Sequence, residues 1–196
     1  MQLIAEQEVV VGIDEAGRGA LAGPVVAGAC VFNPQRRNVL IADSKQLSAD
    51  ARERAFRWIE KHCVIGIGVV PADFIDEHGI LAATERAMQL AVADIAAKVV
   101  PTYLLVDGRD KFWFDYPHSS IIRGDQTERC ISAASIVAKV TRDRIMCEYS
   151  RQFPNYYFDQ HKGYGTSLHY RAIDRHGPCE LHRRSFLASI TAVDPA

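Results

Sequence analysis

The chain has 196 residues, of which 48% are hydrophobic and 24% are charged, with a formal net charge of −1. These values predict one globular domain with a sizeable core and room for a small appendage. The charge gives no global signature of a nucleic-acid partner, so any such contact must depend on local clusters. The sequence contains no membrane-spanning apolar run and no signal-peptide pattern, and its five cysteines are scattered. We therefore expect a cytoplasmic protein with reduced thiols and no membrane partner.

The first half of the chain predicts three short strands and two helices. Apolar runs rich in β-branched residues predict strands at residues 8–13, 24–32 and 63–70. A serine N-cap predicts a helix over residues 48–62. Apolar residues then recur with a helical period over residues 80–98. Three early strands before a long helix are typical of a meander, which predicts antiparallel pairing in this part of the sheet.

The second half predicts two further strands and two helices. Residues 103–108 form an apolar run that ends in a carboxylate and a glycine, and residues 119–123 predict a weaker strand. A strongly helical segment over residues 128–151 contains small residues that allow close packing. The segment from residue 153 is rich in loops and then helical around residues 167–175. Strands interleaved with helices predict an α/β fold with a mixed β-sheet flanked by helices.

Carboxylates follow two of the predicted strands. Asp14 and Glu15 come after the first strand, Asp107 ends a later one, and Asp125 precedes the long helix. Strands that end at one edge of a sheet would bring these groups together, where they repel and raise each other's pKa. Divalent cations relieve that repulsion, and hard oxygen ligands favour magnesium or manganese over zinc. Two such ions about 3.5–4 Å apart can activate water and stabilise a leaving oxygen.

The turn after the first acids contains two glycines and an arginine. Gly17 and Gly19 allow backbone amides to approach a ligand closely. Arg18 adds a fork of donors that suits phosphate or sugar oxygens. Carboxylates, backbone amides and an arginine in one turn indicate phosphodiester chemistry.

Five sequence blocks resemble those of the ribonuclease HII family, in the same order and over almost the whole chain. They are DEAGRG (residues 14–19), DSK (43–45, with Leu47 following), ISAASIVAKVTRD (131–143), HKGYGT (161–166) and HRRSF (182–186). The resemblance implies a ribonuclease H-like catalytic core at residues 1–152 and a C-terminal helical substrate-binding extension at residues 153–196. It also implies metal-dependent endonucleolytic cleavage of RNA paired with DNA. Single ribonucleotides embedded in duplex DNA would be nicked on their 5′ side, leaving a 5′-phosphate.

The resemblance also implies the catalytic and metal-binding residues. The family's four acids, which hold two divalent ions (Mg²⁺ or Mn²⁺), correspond to Asp14, Glu15, Asp107 and Asp125. Asp143 is the competing fourth acid, although its position beside Arg142 on a helix favours an ion pair or cap. The histidines lack a usual zinc spacing. We interpret His161 and His182 as structural or substrate-side residues.

The substrate contacts follow from the same resemblance. The turn Gly17-Arg18-Gly19 resembles the family's reader of the 2′-hydroxyl, the group that distinguishes RNA from DNA. Tyr164 matches the tyrosine that packs against the sugar at an RNA-to-DNA junction, where an aromatic face favours deoxyribose. Candidate phosphate contacts are Ser44, Lys45, Lys139, Arg142, Arg183 and Arg184, with Lys45 and Lys139 preferred. The expected partners are RNA–DNA hybrids and ribonucleotide-containing duplex DNA, bound by a monomer.

Two other functions remain open at this point. Another ribonuclease H-like enzyme, such as a junction resolvase or an integrase core, would share the acids but would not require the glycine–arginine turn. A non-catalytic duplex-binding module would use the acids only for a structural metal. Cleavage of all-DNA branched substrates would favour the first alternative, and binding without metal-dependent turnover would favour the second.

Overall fold

The structure is a computed structural model that describes residues 8–32 and 47–191. In this part of the chain, five strands form one sheet with the order β3-β2-β1-β4-β5. The strands are β1 (Val10–Ala16), β2 (Val25–Val31), β3 (Val64–Val70), β4 (Tyr103–Asp107) and β5 (His118–Ile121). Strands β1, β2 and β3 pair antiparallel, whereas β4 pairs parallel with both β1 and β5. The predicted mixed sheet is therefore confirmed.

Helices cover both faces of the sheet. The described helices are α1 (Ala49–His62), α2 (Ala72–Ala96), α3 (Gly124–Thr127), α4 (Arg129–Gln152), α5 (Phe158–His161), α6 (Ser167–His176) and α7 (Arg184–Thr191), with a 3-10 turn at Pro154–Tyr156. One face packs against α2 in the main apolar core. The other packs against α1 and α4. Among the described residues, no helix is both long and apolar enough to cross a membrane.

Helix α4 approaches the sheet closely because glycines and small residues face each other. A Cβ atom added at Gly12 would lie 2.2 Å from the carbonyl carbon of Cys130. One added at Gly28 would lie 2.3 Å from the carbonyl oxygen of Ala134. The predicted close packing of this helix is thus confirmed, and it brings the side chains of α4 to the edge of the sheet where β1 ends.

The predicted elements differ from the structure mainly at their ends. Strand β1 continues to Ala16, so the first two acids lie within the strand rather than after it. Helix α2 begins at Ala72, well before the predicted start, and is kinked at Gly79. Gly79 has φ +82°, so the helical period before it does not continue into the helix after it. For this reason the apolar periodicity predicted only the part of α2 that follows Gly79. Strand β5 begins one residue before its prediction.

Candidate active site

Three carboxylates lie at one edge of the sheet. Ile13 pairs with Val106 in the parallel β1–β4 ladder, so Asp14 and Asp107 are the next residues of adjacent strands. Asp125 lies at the start of α3, and its backbone N–H donates to Asp107 Oδ1 at 3.2 Å. The structure thus brings Asp14, Asp107 and Asp125 together, as the strand-end argument predicts.

Burial and repulsion between neighbouring carboxylates disfavour the charged forms of Asp14 and Glu15. Asp14 is 6% exposed and Asp125 is 2% exposed. Burial raises the pKa of Asp14 well above its usual value, the charges of Glu15 and Asp107 raise it further, and a hydrogen bond from Ser135 opposes them. Burial also raises the pKa of Glu15, against the opposing charge of Arg18. The protein's own side chains therefore do not supply enough positive charge at this edge of the sheet to balance the carboxylates.

The donor set fits a divalent cation. It consists of carboxylate oxygens, which magnesium and manganese prefer. Within residues 8–32 and 47–191, no three acidic, histidine or cysteine side chains already converge into a metal-binding cluster. Mg²⁺ does not require a preformed cage of side chains, because it usually retains several waters and binds substrate phosphate oxygens beside one or two carboxylates.

Arg18 bridges two acids beside this edge. Its Nη1 donates to Asp110 Oδ2 at 2.8 Å and to Glu15 Oε1 at 3.2 Å. Sequence reasoning missed Asp110, although an acid three residues beyond Asp107 was a visible signal. The ion pairs hold the Arg18 side chain toward the carboxylates, where its remaining donors can meet a phosphate.

The two glycines of the turn differ in their surroundings. Gly17 has φ +95°, and a Cβ atom there would lie 2.0 Å from Nε of Arg142. Gly19 has no neighbouring atom within 4 Å of an added Cβ atom. Gly17 is therefore required by the protein's own packing, whereas the space beside Gly19 is open to a ligand.

Arg142 does not have the role predicted for it. Its side chain is fully buried, and it donates to three backbone carbonyls: from Nε to Pro24 at 2.9 Å, from Nη1 to Lys162 at 2.9 Å and from Nη2 to Ala22 at 3.1 Å. Burial lowers its pKa. The predicted phosphate contact is wrong for Arg142, because its guanidinium is enclosed by protein and holds the backbone that follows the glycine turn.

Arg183 requires the same correction. It is fully buried; Nε and Nη2 both donate to the carbonyl of Gly23, at 3.0 and 2.9 Å, and Nη1 donates to that of Arg18 at 2.9 Å. Burial, with the nearby charge of Arg142, lowers its pKa to about 9. The phosphate contact predicted for Arg183 is therefore wrong. This arginine joins the C-terminal segment to the glycine–arginine turn.

The loop that contains Tyr164 is hydrogen-bonded to the segment that follows the glycine–arginine turn. The carbonyl of Gly163 accepts from the backbone N–H groups of Leu21, at 2.8 Å, and Ala22, at 3.3 Å. The Tyr164 ring lies beside α4, with its centroid 5.1 Å from Cζ of Arg142 and 5.7 Å from Nζ of Lys139. The structure thus brings Tyr164 to the side of the acidic edge.

The remaining candidate residues differ in their exposure and in whether the structure describes them. Lys139 pairs with Asp143 at 2.7 Å, so Asp143 makes the kind of ion pair anticipated for it. The Lys139 side chain is 31% exposed and stays a candidate phosphate contact. Arg184 is exposed, and its predicted contact also stays a prediction. Ser44 and Lys45 lie outside the described residues.

Comparisons with known proteins decide the family. The model of the family described as Ribonuclease HII matches residues 11–189. The ribonuclease HII of Syntrophus aciditrophicus (strain SB) is 47% identical over 184 residues, covering 93% of this chain and 86% of that one. The chain belongs to the ribonuclease HII family. The ribonuclease HII of Burkholderia pseudomallei (strain K96243) is similarly related, with 48% identity over 191 residues, 97% of this chain and 88% of that one.

The fold agrees with this membership. The crystal structure of ribonuclease H2 from Pyrococcus horikoshii OT3 superposes with a TM-score of 0.74 at 24% identity, covering 92% of this chain and 96% of that one. The predicted ribonuclease H-like fold is therefore confirmed. The family match, in turn, makes the chain a ribonuclease H-type hydrolase. In this member of the ribonuclease HII family, sequence reasoning missed Ser135 and Asp110, which contact Asp14 and Arg18.

Proposed function

We propose that this member of the ribonuclease HII family hydrolyses the RNA strand of RNA–DNA hybrids and nicks duplex DNA on the 5′ side of single embedded ribonucleotides. The observation that supports this most is the combination of buried, mutually repelling carboxylates with an open space beside Gly19. The first arrangement suits metal-assisted phosphodiester hydrolysis. The second leaves room for a sugar to approach the backbone.

The acidic residues proposed to bind metal are Asp14, Glu15, Asp107 and Asp125. Two divalent ions, Mg²⁺ or Mn²⁺, would activate a water and stabilise the departing 3′ oxygen when bound there. The protein orients these groups beforehand: the Asp125 N–H holds Asp107 Oδ1, and Ser135 holds Asp14. Arg18 offsets part of the negative charge at Glu15. We propose Asp125 as the fourth acid because Asp143 pairs with Lys139 instead.

The proposed substrate contacts surround this edge. Backbone groups of Gly17-Arg18-Gly19 would read the 2′-hydroxyl, which is both a donor and an acceptor. The Tyr164 ring would pack against the deoxyribose at an RNA-to-DNA junction, and Lys139 would contact phosphate, as would Ser44, Lys45 and Arg184. We further propose residues 1–152 as the catalytic core and residues 153–196 as a substrate-binding extension. The support for this extension is the Tyr164 loop, which is hydrogen-bonded to the segment that follows the glycine–arginine turn.

Alanine at Gly19 is expected to reduce cleavage at a single ribonucleotide at least tenfold while leaving the melting temperature nearly unchanged. The added methyl group meets no protein atom within 4 Å, so it obstructs only a bound substrate. Alanine at Gly17 is the matched comparison, because its positive φ and the clash with Arg142 should lower the melting temperature. Initial rates and thermal melts of both variants test this. Full activity in the Gly19→Ala protein would contradict the proposed reader.

Alanine at Tyr164 is expected to weaken cleavage at an RNA-to-DNA junction more than it weakens duplex binding. The ring is proposed to align the sugar at the junction rather than to supply most of the affinity. Single-turnover rates and a binding titration on the same labelled duplex measure the two effects. Equal losses in both would mean that Tyr164 is only a binding contact. Tyr164→Phe keeps the ring and should retain most of the activity.

The reaction itself is tested with a labelled DNA duplex that contains one ribonucleotide, in magnesium, in manganese and in chelator, beside an all-DNA duplex. Metal-dependent nicking only on the 5′ side of the ribonucleotide would support the proposed function. Cleavage of the all-DNA or a branched duplex would favour a resolvase-like enzyme. Binding without cleavage in either metal would favour a duplex-binding module.

A further inference from the structure

A chain of hydrogen-bonded histidines lies beneath the Tyr164 loop. His182 Nε2 is 3.1 Å from His169 Nε2, and His169 Nδ1 is 3.1 Å from the carbonyl oxygen of Tyr164. At the other end, the backbone N–H of Cys179 donates to His182 Nδ1 at 3.0 Å. We call His182, His169 and the Tyr164 carbonyl the histidine relay. Both rings are almost fully buried, at 2% and 0% exposure.

The direction of every hydrogen bond in the relay follows from its first donor. The Cys179 N–H can only donate, so Nδ1 of His182 must accept, and the proton of a neutral ring then resides on Nε2. His169 consequently accepts at Nε2 and donates from Nδ1 to the Tyr164 carbonyl. Burial lowers the pKa of both histidines to about 4, which keeps the rings neutral near pH 7. The tautomers of both rings are therefore fixed.

A third histidine supports the relay from the side. His161 stacks on His169 with ring centroids 4.2 Å apart and an interplanar angle of 18°. Its Nδ1 accepts from the N–H of Gly163 at 3.1 Å, which leaves Nε2 to donate to the carbonyl of Tyr156 at 2.7 Å. Since these rings are engaged with backbone groups and with one another, we interpret the three histidines as supports of the Tyr164 loop.

The relay connects two parts of the site. Through Gly163, the Tyr164 loop accepts hydrogen bonds from Leu21 and Ala22, which follow the glycine–arginine turn. The segment that contains His182 continues directly into Arg183, which donates to the carbonyl of Arg18 within that turn. A displacement at His169 would therefore shift the backbone of Tyr164 without touching the acids. Because His169 lies apart from the acids, substitutions at His169 can test the contribution of the Tyr164 loop without changing the catalytic carboxylates.

We propose that His169 is a positioning residue that holds Tyr164 in place for recognition of the RNA-to-DNA junction, with His182 setting the tautomer of His169. The proposal rests on the proposed function, because it concerns the discrimination between substrates of that same site. It predicts that loss of the His169–Tyr164 hydrogen bond reduces junction cleavage selectively, while cleavage within a continuous RNA strand is retained.

Two substitutions at His169 distinguish the bonds that the ring makes. The side-chain amide nitrogen of asparagine lies near the former Nδ1, so His169→Asn can still donate to the Tyr164 carbonyl. The amide of glutamine lies near the former Nε2, so His169→Gln can still contact His182 but loses the bond to Tyr164. Both variants delete the buried ring, and both should lose similar stability. His78→Gln, on the exposed surface of α2, is a control for histidine removal as such.

The experiment measures kcat and KM on two substrates: a DNA duplex with one ribonucleotide and a hybrid with a continuous RNA strand. We expect His169→Gln to lower the ratio of kcat values, single ribonucleotide over continuous RNA, about tenfold with little change in KM. His169→Asn should keep the ratio within about threefold of wild type. Equal ratios in both variants, or losses that simply follow their melting temperatures, would overturn the proposal.

A second measurement is independent of activity. Nitrogen-15 NMR of imidazole-labelled wild-type protein should show a protonated Nδ1 at His169 and a protonated Nε2 at His182 at pH 7. The opposite tautomers would refute the relay whether or not either variant folds. Failure of the wild-type protein to cleave either substrate would instead refute the proposed function, so the two failures can be told apart.

Discussion

Replacing Asp14 by asparagine is expected to lower cleavage at least about 10³-fold, because loss of this proposed metal-binding carboxylate would remove roughly 4 kcal/mol of transition-state stabilisation. The same change should raise the melting temperature in metal-free buffer. Burial and the charges of Glu15 and Asp107 disfavour ionisation of Asp14, so a neutral isostere relieves that strain. Single-turnover cleavage and thermal melts in chelator measure the two opposite effects.

The effect of metal ions on the melting temperature is a third measurement for the Asp14→Asn variant. The wild-type protein should melt at a higher temperature in magnesium or manganese than in chelator, because a ligand that binds only the folded state stabilises it. That difference should shrink in the Asp14→Asn protein. The matched control is Asp143→Asn, which removes only the half-exposed pair with Lys139 and should keep activity within about fivefold. Wild-type turnover by Asp14→Asn would refute the assignment of this acid.

Replacing Arg142 by methionine is expected to destabilise the protein by about 3 kcal/mol or more. Two buried carbonyls and one partly buried carbonyl lose their donors, at about 1–3 kcal/mol each, and relief from burying a guanidinium offsets only part of that loss. Cleavage should fall as well, since these carbonyls belong to the segment after the glycine–arginine turn and to the Tyr164 loop. Denaturant unfolding at equilibrium gives the free energy directly.

Arg151→Met is the matched control for this substitution. Arg151 lies in the last turn of the same helix, its side chain is 78% exposed, and its ion pair with Glu148 is on the surface. The expected change in unfolding free energy is below about 1 kcal/mol. If Arg142→Met were no less stable than Arg151→Met, the proposed role of Arg142 in holding the turn would be wrong.

Much of this arrangement was predictable from local sequence. Strands β2 and β3 lie within a residue or so of their predicted ranges, because their β-branched runs are bounded by clear stop signals. The meeting of Asp14 and Asp107 followed from the rule that strands end at a common edge. Ser48 caps α1 as predicted, with its hydroxyl accepting from the N–H of Ala51.

The roles of the buried arginines were not predictable in this way. The sequence predicted Arg142 and Arg183 as phosphate contacts, since they are basic and lie in the family's motifs. Their partners are 118 to 120 and 160 to 165 residues away in sequence, except for Lys162. Periodicity and turn chemistry report only on near neighbours, so burial of a charged side chain by a distant segment leaves no local signal.

The attachment of Arg183 to the early turn has a consequence for biosynthesis. Gly23 is made 160 residues before the arginine that holds its carbonyl, and backbone bonds from Gly23 to Leu181 and from Arg183 to Leu21 join the same two segments. A ribosome-bound chain therefore lacks these hydrogen bonds to the turn and to the segment after it until residue 183 has emerged from the exit tunnel.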